Sequence, residues 1–272
     1  QTRELTLGGK NATTAAAGAR VLRQVVLSGA KVDPWFAMEV ARGCQEALGP
    51  HGYTTQRVSL ACVEAVAGSA TVPLNSNVMP VVAACEEVAR GVVAQQHLAV
   101  AILMAVARIH LRAGDHARAV GLAREAVERA RLRLGPDSTE LADAQAVLVV
   151  VEEAAGCLGE AAARCAEMAD KRNAISRPHA GMAMLAAGLR ASCALADASG
   201  APRGEQALAF FSELQLDLRT FCTITEEVPQ AARPEGSPFA LTMLCALRGC
   251  CTLDPAAFID AISSVIHLLL RA

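Results

Sequence analysis

Residues 98–136 read LAVAILMAVARIHLRAGDHARAVGLAREAVERARLRLGP, and residues 140–178 read ELADAQAVLVVVEEAAGCLGEAAARCAEMADKRNAISRP. Slid over one another by 42 positions, the two stretches agree in kind: Val106 falls on Leu148, Ile109 on Val151, Ala113 on Ala155, Gly114 on Gly156, Ala119 on Ala161 and Ala123 on Cys165. Small residues recur where two helices must approach closely, and larger aliphatic ones recur where the gap must be filled. In each copy an apolar run at helical spacing is closed by glycine, and a second helical pattern follows. Gly200 stands 44 positions beyond Gly156 and extends the rhythm. A period in this range means a repeat array, in which no helix pair buries its apolar face alone and stacking supplies the missing core.

The same rhythm runs outward from this pair. Breakers fall at Gly49-Pro50-His51-Gly52, Val72-Pro73, Asn75-Ser76-Asn77, Gly135-Pro136-Asp137, Ser176-Arg177-Pro178, Ser199-Gly200-Ala201-Pro202, Val228 to Pro238 and Asp254-Pro255. Helices of about 12 to 20 residues fit between them. Asp254 before Pro255 reads as an N-cap followed by proline at the first helical position. Strand-like runs of alternating, β-branched and aromatic residues are scarce. The expected fold class is all-α, an α-solenoid of about five or six antiparallel helix pairs. Three regions follow: N-terminal helical pairs over 1–96, the repeats proper over 97–225, and a C-terminal pair or cap over 226–272.

The order Gly114, Ala119, Ala126, then Gly135-Pro136-Asp137-Ser138-Thr139-Glu140-Leu141-Ala142, then Leu148 and Gly156 resembles tetratricopeptide repeats of the kinesin-light-chain type. The resemblance covers about residues 98–172, with a third unit expected from Pro178 to Thr225. It implies a right-handed superhelix and a concave face that docks protein partners. On that face it points to Met104, Arg108, Asp143 and Glu153. The chain departs from the family at His110 and Glu152, where a tyrosine is usual. It departs again at Met104, Ala105, Gln145 and Ala146, where the family places backbone-clamping asparagines.

Composition narrows the class. Of 272 residues 53% are hydrophobic and only 3% aromatic, which excludes disorder as the dominant state and leaves room for a substantial core. A net charge of -2 gives no general pull towards nucleic acid or anionic membrane. The 10 cysteines lack regular spacing or a CxxC pair, and Cys62, Cys85, Cys165, Cys193 and Cys245 sit in apolar runs. They read as reduced, buried, small hydrophobes, and Cys250-Cys251 cannot chelate a metal without distant partners. No apolar run is long enough to span a bilayer. Residues 1–31 carry Arg3, Lys10, Arg20, Arg23 and Lys31 against Glu4 alone. That basic, Ala/Thr-rich start suits the region after a cleaved organellar transit peptide, favouring a mitochondrial over a cytoplasmic location and arguing against secretion.

Catalytic signatures do not surface: the sequence has no nucleophile elbow, phosphate-binding loop, His-Glu-x-x-His helix or dinucleotide fingerprint. The carboxylate pairs Glu86-Glu87, Glu152-Glu153 and Glu226-Glu227 diverge by about 100° on a helix and read as solvated faces. His110 and His116 straddle the Gly114 turn without ligand geometry. The expectation is therefore a non-enzymatic chain without catalytic residues, metal, cofactor or small-molecule substrate.

Charge is uneven along the chain. Seven arginines, Arg108, Arg112, Arg118, Arg124, Arg129, Arg131 and Arg133, face Asp115, Glu125 and Glu128, whereas eight acids between Asp137 and Asp170 face Arg164 alone. The favoured reading is salt bridges between helix pairs and i,i+4 pairs such as Glu125 to Arg129, each worth about 0.3–0.5 kcal/mol. The alternative is an RNA-contacting subunit of an organellar assembly, with Arg112, Arg118, Arg124 and Arg131 meeting phosphates. Stacking aromatics are missing from that stretch, which weighs against RNA. Phe210, Phe211 and Phe221 read as core, and Trp35 as an interface anchor. The functional expectation is a helical-repeat scaffold that binds other protein subunits, as a structural or accessory member of a larger complex.

Overall fold

A computed structural model describes residues 12–170, 178–199, 207–212, 214, 259 and 263. Among them there is no strand. The helices are α1 (Ala12–Leu27), α2 (Pro34–Leu48), α3 (Tyr53–Gly68), α4 (Met79–Gly91), α5 (Gln96–Arg112), α6 (His116–Arg133), α7 (Thr139–Ala154), α8 (Leu158–Asp170) and α9 (Pro178–Ser199). Most of their ends fall at or near the breakers read from sequence, but the α1–α2 and α4–α5 connections, 28–33 and 92–95, are not among those breakers. The expectations for Gly200, Phe221, Glu226-Glu227, Cys245, Cys250-Cys251, the Asp254 cap and, in the third repeat, residues 200–206, 213 and 215–225 lie outside the described residues.

Local chemistry starts the helices where it does. Asp33 caps α2, its carboxylate accepting from Phe36 N–H at 2.9 Å, and Pro34 fills the position that has no intrahelical bond to lose. Asp115 does the same for α6, accepting from Arg118 N–H at 3.2 Å. Ser138 Oγ accepts from Leu141 N–H at 3.2 Å ahead of α7.

The turns at Gly114 and Gly156 are copies of one another, hydrogen bond by hydrogen bond. In the first, Ala113 N–H donates to Ile109 O, Gly114 to Leu111 O, Asp115 to His110 O and Ala119 to Asp115 O, at 2.9, 3.0, 3.0 and 3.0 Å. In the second, Ala155 donates to Val151 O, Gly156 to Glu153 O, Cys157 to Glu152 O and Ala161 to Cys157 O, at 2.9, 3.1, 2.8 and 3.1 Å. Each bond maps onto its counterpart by the 42-residue shift read from sequence. Gly114 has φ 79° and Gly156 φ 78°, a left-handed conformation that a Cβ disfavours. Burial repeats too: Ala99 and Leu141, Ile102 and Ala144, Val106 and Leu148, Ile109 and Val151, Ala119 and Ala161, and Ala123 and Cys165 are all buried.

The chain forms two compact units, residues 1–147 and 148–272, with the division inside α7. In the first unit each helix from α1 to α6 packs on the next in sequence, and α1 also packs on α3, α3 on α5, and α2 on α4. Helix α5, held between α3, α4 and α6, buries Leu98, Ala99, Val100, Ile102, Leu103, Ala105, Val106, Ala107 and Ile109, residues that cover most of its circumference. Alanine and valine dominate this core, so packing comes from close backbone approach rather than bulk. In the second unit α8 packs on α9. Gly188 of α9 lies so close to Cys165 and Phe210 that an added Cβ would meet their side chains at 2.7 Å. Phe210 and Phe211 are buried, as expected for core aromatics.

Two expectations are corrected by the packing. Glu86 and Glu152 do not lie on solvated faces; both are buried. Glu86 Oε1 accepts from Arg90 and from Arg118 at 2.6 Å each. Glu152 accepts two bonds from Arg164, at 3.1 and 3.0 Å. A buried carboxylate is tolerable when a guanidinium and its hydrogen bonds replace the lost water. The Glu125–Arg129 pair suggested by spacing does not form either. Glu125 pairs with Arg90 at 3.3 Å, and Arg129 donates to Ala89 O at 2.6 Å, so both side chains fasten α6 to α4.

Cysteines 44, 62, 85, 165 and 193 are free and buried, and Cys157 is partly exposed. Burial pushes the Cys165 thiol up to about 12, with Glu153 adding to the effect, so it stays a neutral core residue.

Candidate functional site

The helices that touch in the series α1, α3, α5 share an unusual charge content. Their sequences contain Arg20, Arg23, Arg57, Arg108 and Arg112, and a single acid, Glu64. The helices α2 and α4 mix both signs, with Glu39, Arg42 and Glu46 in one and Glu86, Glu87 and Arg90 in the other. Arg112 is committed inward: its guanidinium donates to Val66 O at 2.8 Å, to Ser69 O, and to Val72 O at 3.3 Å. It thereby ties the end of α3 and the loop after it to the end of α5. Arg20, Arg23, Arg57 and Arg108 remain exposed.

A groove of about 300 Å³ lies between α1 and α3 and reaches the start of α5. Ala19, Leu22, Val58 and Leu98, all buried, form its floor. Its rim carries exposed apolar surface at Val26, Leu27 and Tyr53, the last 52% exposed, together with Arg23, Arg57 and Glu64. Arg57 is held in place: it donates to the Tyr53 hydroxyl at 3.0 Å, and its guanidinium carbon is 5.7 Å from the ring centroid. Partial desolvation in the groove wall raises the Glu64 carboxyl above its ordinary value, and the Arg108 charge opposes that rise. Met104 and Arg108, one helical turn apart on α5, are half-buried and exposed respectively. No ion pair joins Arg20 or Arg23 to an acid among the described residues.

A second cleft, of about 530 Å³, opens beside α2 and α4 and is lined by Trp35, Met38, Glu39, Arg42, Asn77 and Pro80, among others. Trp35 is 47% exposed there. Arg42 and Glu39 pair with each other at 3.2 Å, so this cleft presents little net charge.

The residues expected from sequence are distributed as follows. Met104 and Arg108 share one face of α5, Trp35 lines the separate cleft on α2, and Asp143 is half-buried on α7. Glu153 belongs to the second unit and accepts from Arg190 at 2.8 and 2.9 Å, so its charge is already matched. Of the arginines considered for RNA, Arg112 and Arg118 are bound to α3 carbonyls and Glu86, Arg124 has an intramolecular interaction, and Arg131 lies 3.9 Å from Glu128. Tyr53, Arg57 and Glu64 were not singled out from sequence, and Arg23 was read only as part of the basic N-terminal stretch. The signal that finds them is a charge count taken helix by helix over alternate helices.

Among the described residues no group of three His, Cys, Asp or Glu side chains is placed to hold a metal ion, and no helix is long and apolar enough to cross a membrane. No protein-family model, characterised protein or solved structure matches the chain.

Proposed function

We propose that the chain is a non-enzymatic helical-repeat scaffold of the tetratricopeptide kind, an α-solenoid that docks other proteins along the face formed by α1, α3 and α5. The observation that carries this reading is the apolar groove between α1 and α3, with exposed Val26, Leu27 and Tyr53 at its rim. Exposed apolar surface gathered around a concavity marks a contact site better than the same residues scattered singly. The duplicated glycine turns supply the stacking logic that makes such faces extend from unit to unit. A place as accessory or structural subunit of a larger complex follows from the same logic.

The test is comparative co-purification from the native cell extract. Wild-type chain, Ala61→Trp, which fills the groove, and Arg133→Ser, on α6, are compared for quantitatively recovered partners. A defined partner set lost with Ala61→Trp and kept with Arg133→Ser supports the docking face. Partners unchanged by groove filling, or recovered only through nuclease-sensitive RNA, overturn it. An RNA contact would also show a steep fall of affinity with salt.

A further inference from the structure

Resting on the docking reading above, we infer that the partner segment received by the α1–α3 groove is acidic, with one large apolar side chain entering the cavity and carboxylates pairing with Arg23 and Arg57. Of the residues lining the site only Leu98 falls within 98–172, and none of Arg23, Tyr53, Arg57 and Glu64 is carried over from the tetratricopeptide resemblance.

Charge complementarity carries the argument. Helix α1 contains no acid at all, and Glu64 is the only one on α3 or α5. Of the arginines on these helices, Arg112 is tied to backbone carbonyls. Arg23 and Arg57, both exposed, line the apolar concavity, and Arg20 and Arg108 are exposed on the same helices. Arg57 is pre-oriented by the Tyr53 ring and hydroxyl, which lowers the ordering cost of meeting a carboxylate. The volume, about 300 Å³, suits one large side chain rather than a whole helix. Glu64 and Arg108 face one another electrostatically, so net positive charge is concentrated at Arg23 and Arg57. Carboxylates of the partner are drawn to those arginines and repelled from Glu64, which fixes the direction in which the segment lies. A flat anionic bilayer would meet the exposed arginines but leave the concavity empty, and a nucleic acid would lack the apolar side chain that fills it.

The experiment is fluorescence anisotropy on the full chain with a labelled peptide of alternating Glu and Ser around a central Leu, and its counterpart with Gln in place of Glu. At low salt the Glu peptide is expected to bind at least about tenfold more tightly than the Gln peptide. Arg23→Glu with Arg57→Glu, both exposed positions, should abolish that preference, while Arg133→Glu leaves it intact, with circular dichroism confirming the fold of each. Equal binding of the two peptides, lost with Ala61→Trp, overturns the acidic preference and leaves the docking face standing. Binding of neither peptide, with a partner set indifferent to Ala61→Trp, overturns both. Phosphatidylserine vesicles or oligouridylate bound in place of the Glu peptide, or a dimer that Arg23→Glu dissociates, would assign the face to another occupant and overturn the inference.

Discussion

At the scale of single residues, the polar groups that matter most are the ones the core has enclosed. Glu152 is fully buried, and Arg164 donates to both its oxygens. Truncating Arg164 to Ala removes both of those bonds from a buried group, and urea denaturation should register a loss of about 3–5 kcal/mol. The double variant Glu152→Leu/Arg164→Met should recover most of it, because neither charge is then stranded. In the first copy of the repeat the same two positions hold His110 and Leu122. The exchange of a histidine and a leucine for an ion pair is thus a paired change, invisible when each position is read alone. Glu64 is the opposite case, an exposed acid whose carboxyl is raised by groove desolvation against the pull of Arg108. A folded-state value above the unfolded one means the folded chain holds this proton more tightly. Its contribution is present in full below the unfolded value and is lost as pH rises through the folded one. Glu64→Gln should therefore flatten the stability profile across that acidic window, as read by denaturant midpoints at stepped pH.

At the scale of elements, the glycine turns were legible in sequence because a left-handed residue closing a helix depends on its near neighbours. The period is of the same local kind, as are the caps that the structure shows at Asp33 and Asp115. What spacing could not show is which charges meet across helices. Arg118 and Glu86 are 32 positions apart, and Arg129 reaches Ala89 O over 40, so only the packing of α6 beside α4 pairs them. That long-range pairing displaced the local Glu125–Arg129 bridge, worth a few tenths of a kcal/mol at best. The two turns make a sharper test. Gly114→Ala and Gly156→Ala should each cost about 1–2 kcal/mol through backbone strain alone, since a Cβ at either site meets nothing within 4 Å. Similar losses at both positions, measured by chemical denaturation, are what copies of one unit require.

At the scale of the whole molecule, charge is distributed by layer rather than by segment. Read linearly, charge drew attention to the arginines between 108 and 133, yet Arg112, Arg118 and Arg129 there hold helices together. The groove arginines are spread over α1 and α3, separated by a helix of mixed charge, and only the packing of α1 on α3 gathers them. The sequence therefore disclosed an all-helical chain whose neighbouring helices pack in order, while the groove, whose lining comes from α1, α3 and the start of α5, required the fold. Hydrogen-exchange mass spectrometry of the full chain with and without the Glu peptide tests this arrangement directly. Protection confined to segments 12–27, 53–68 and the start of 96–112 is the predicted footprint; protection centred on 116–133, or none at saturating peptide, would contradict it.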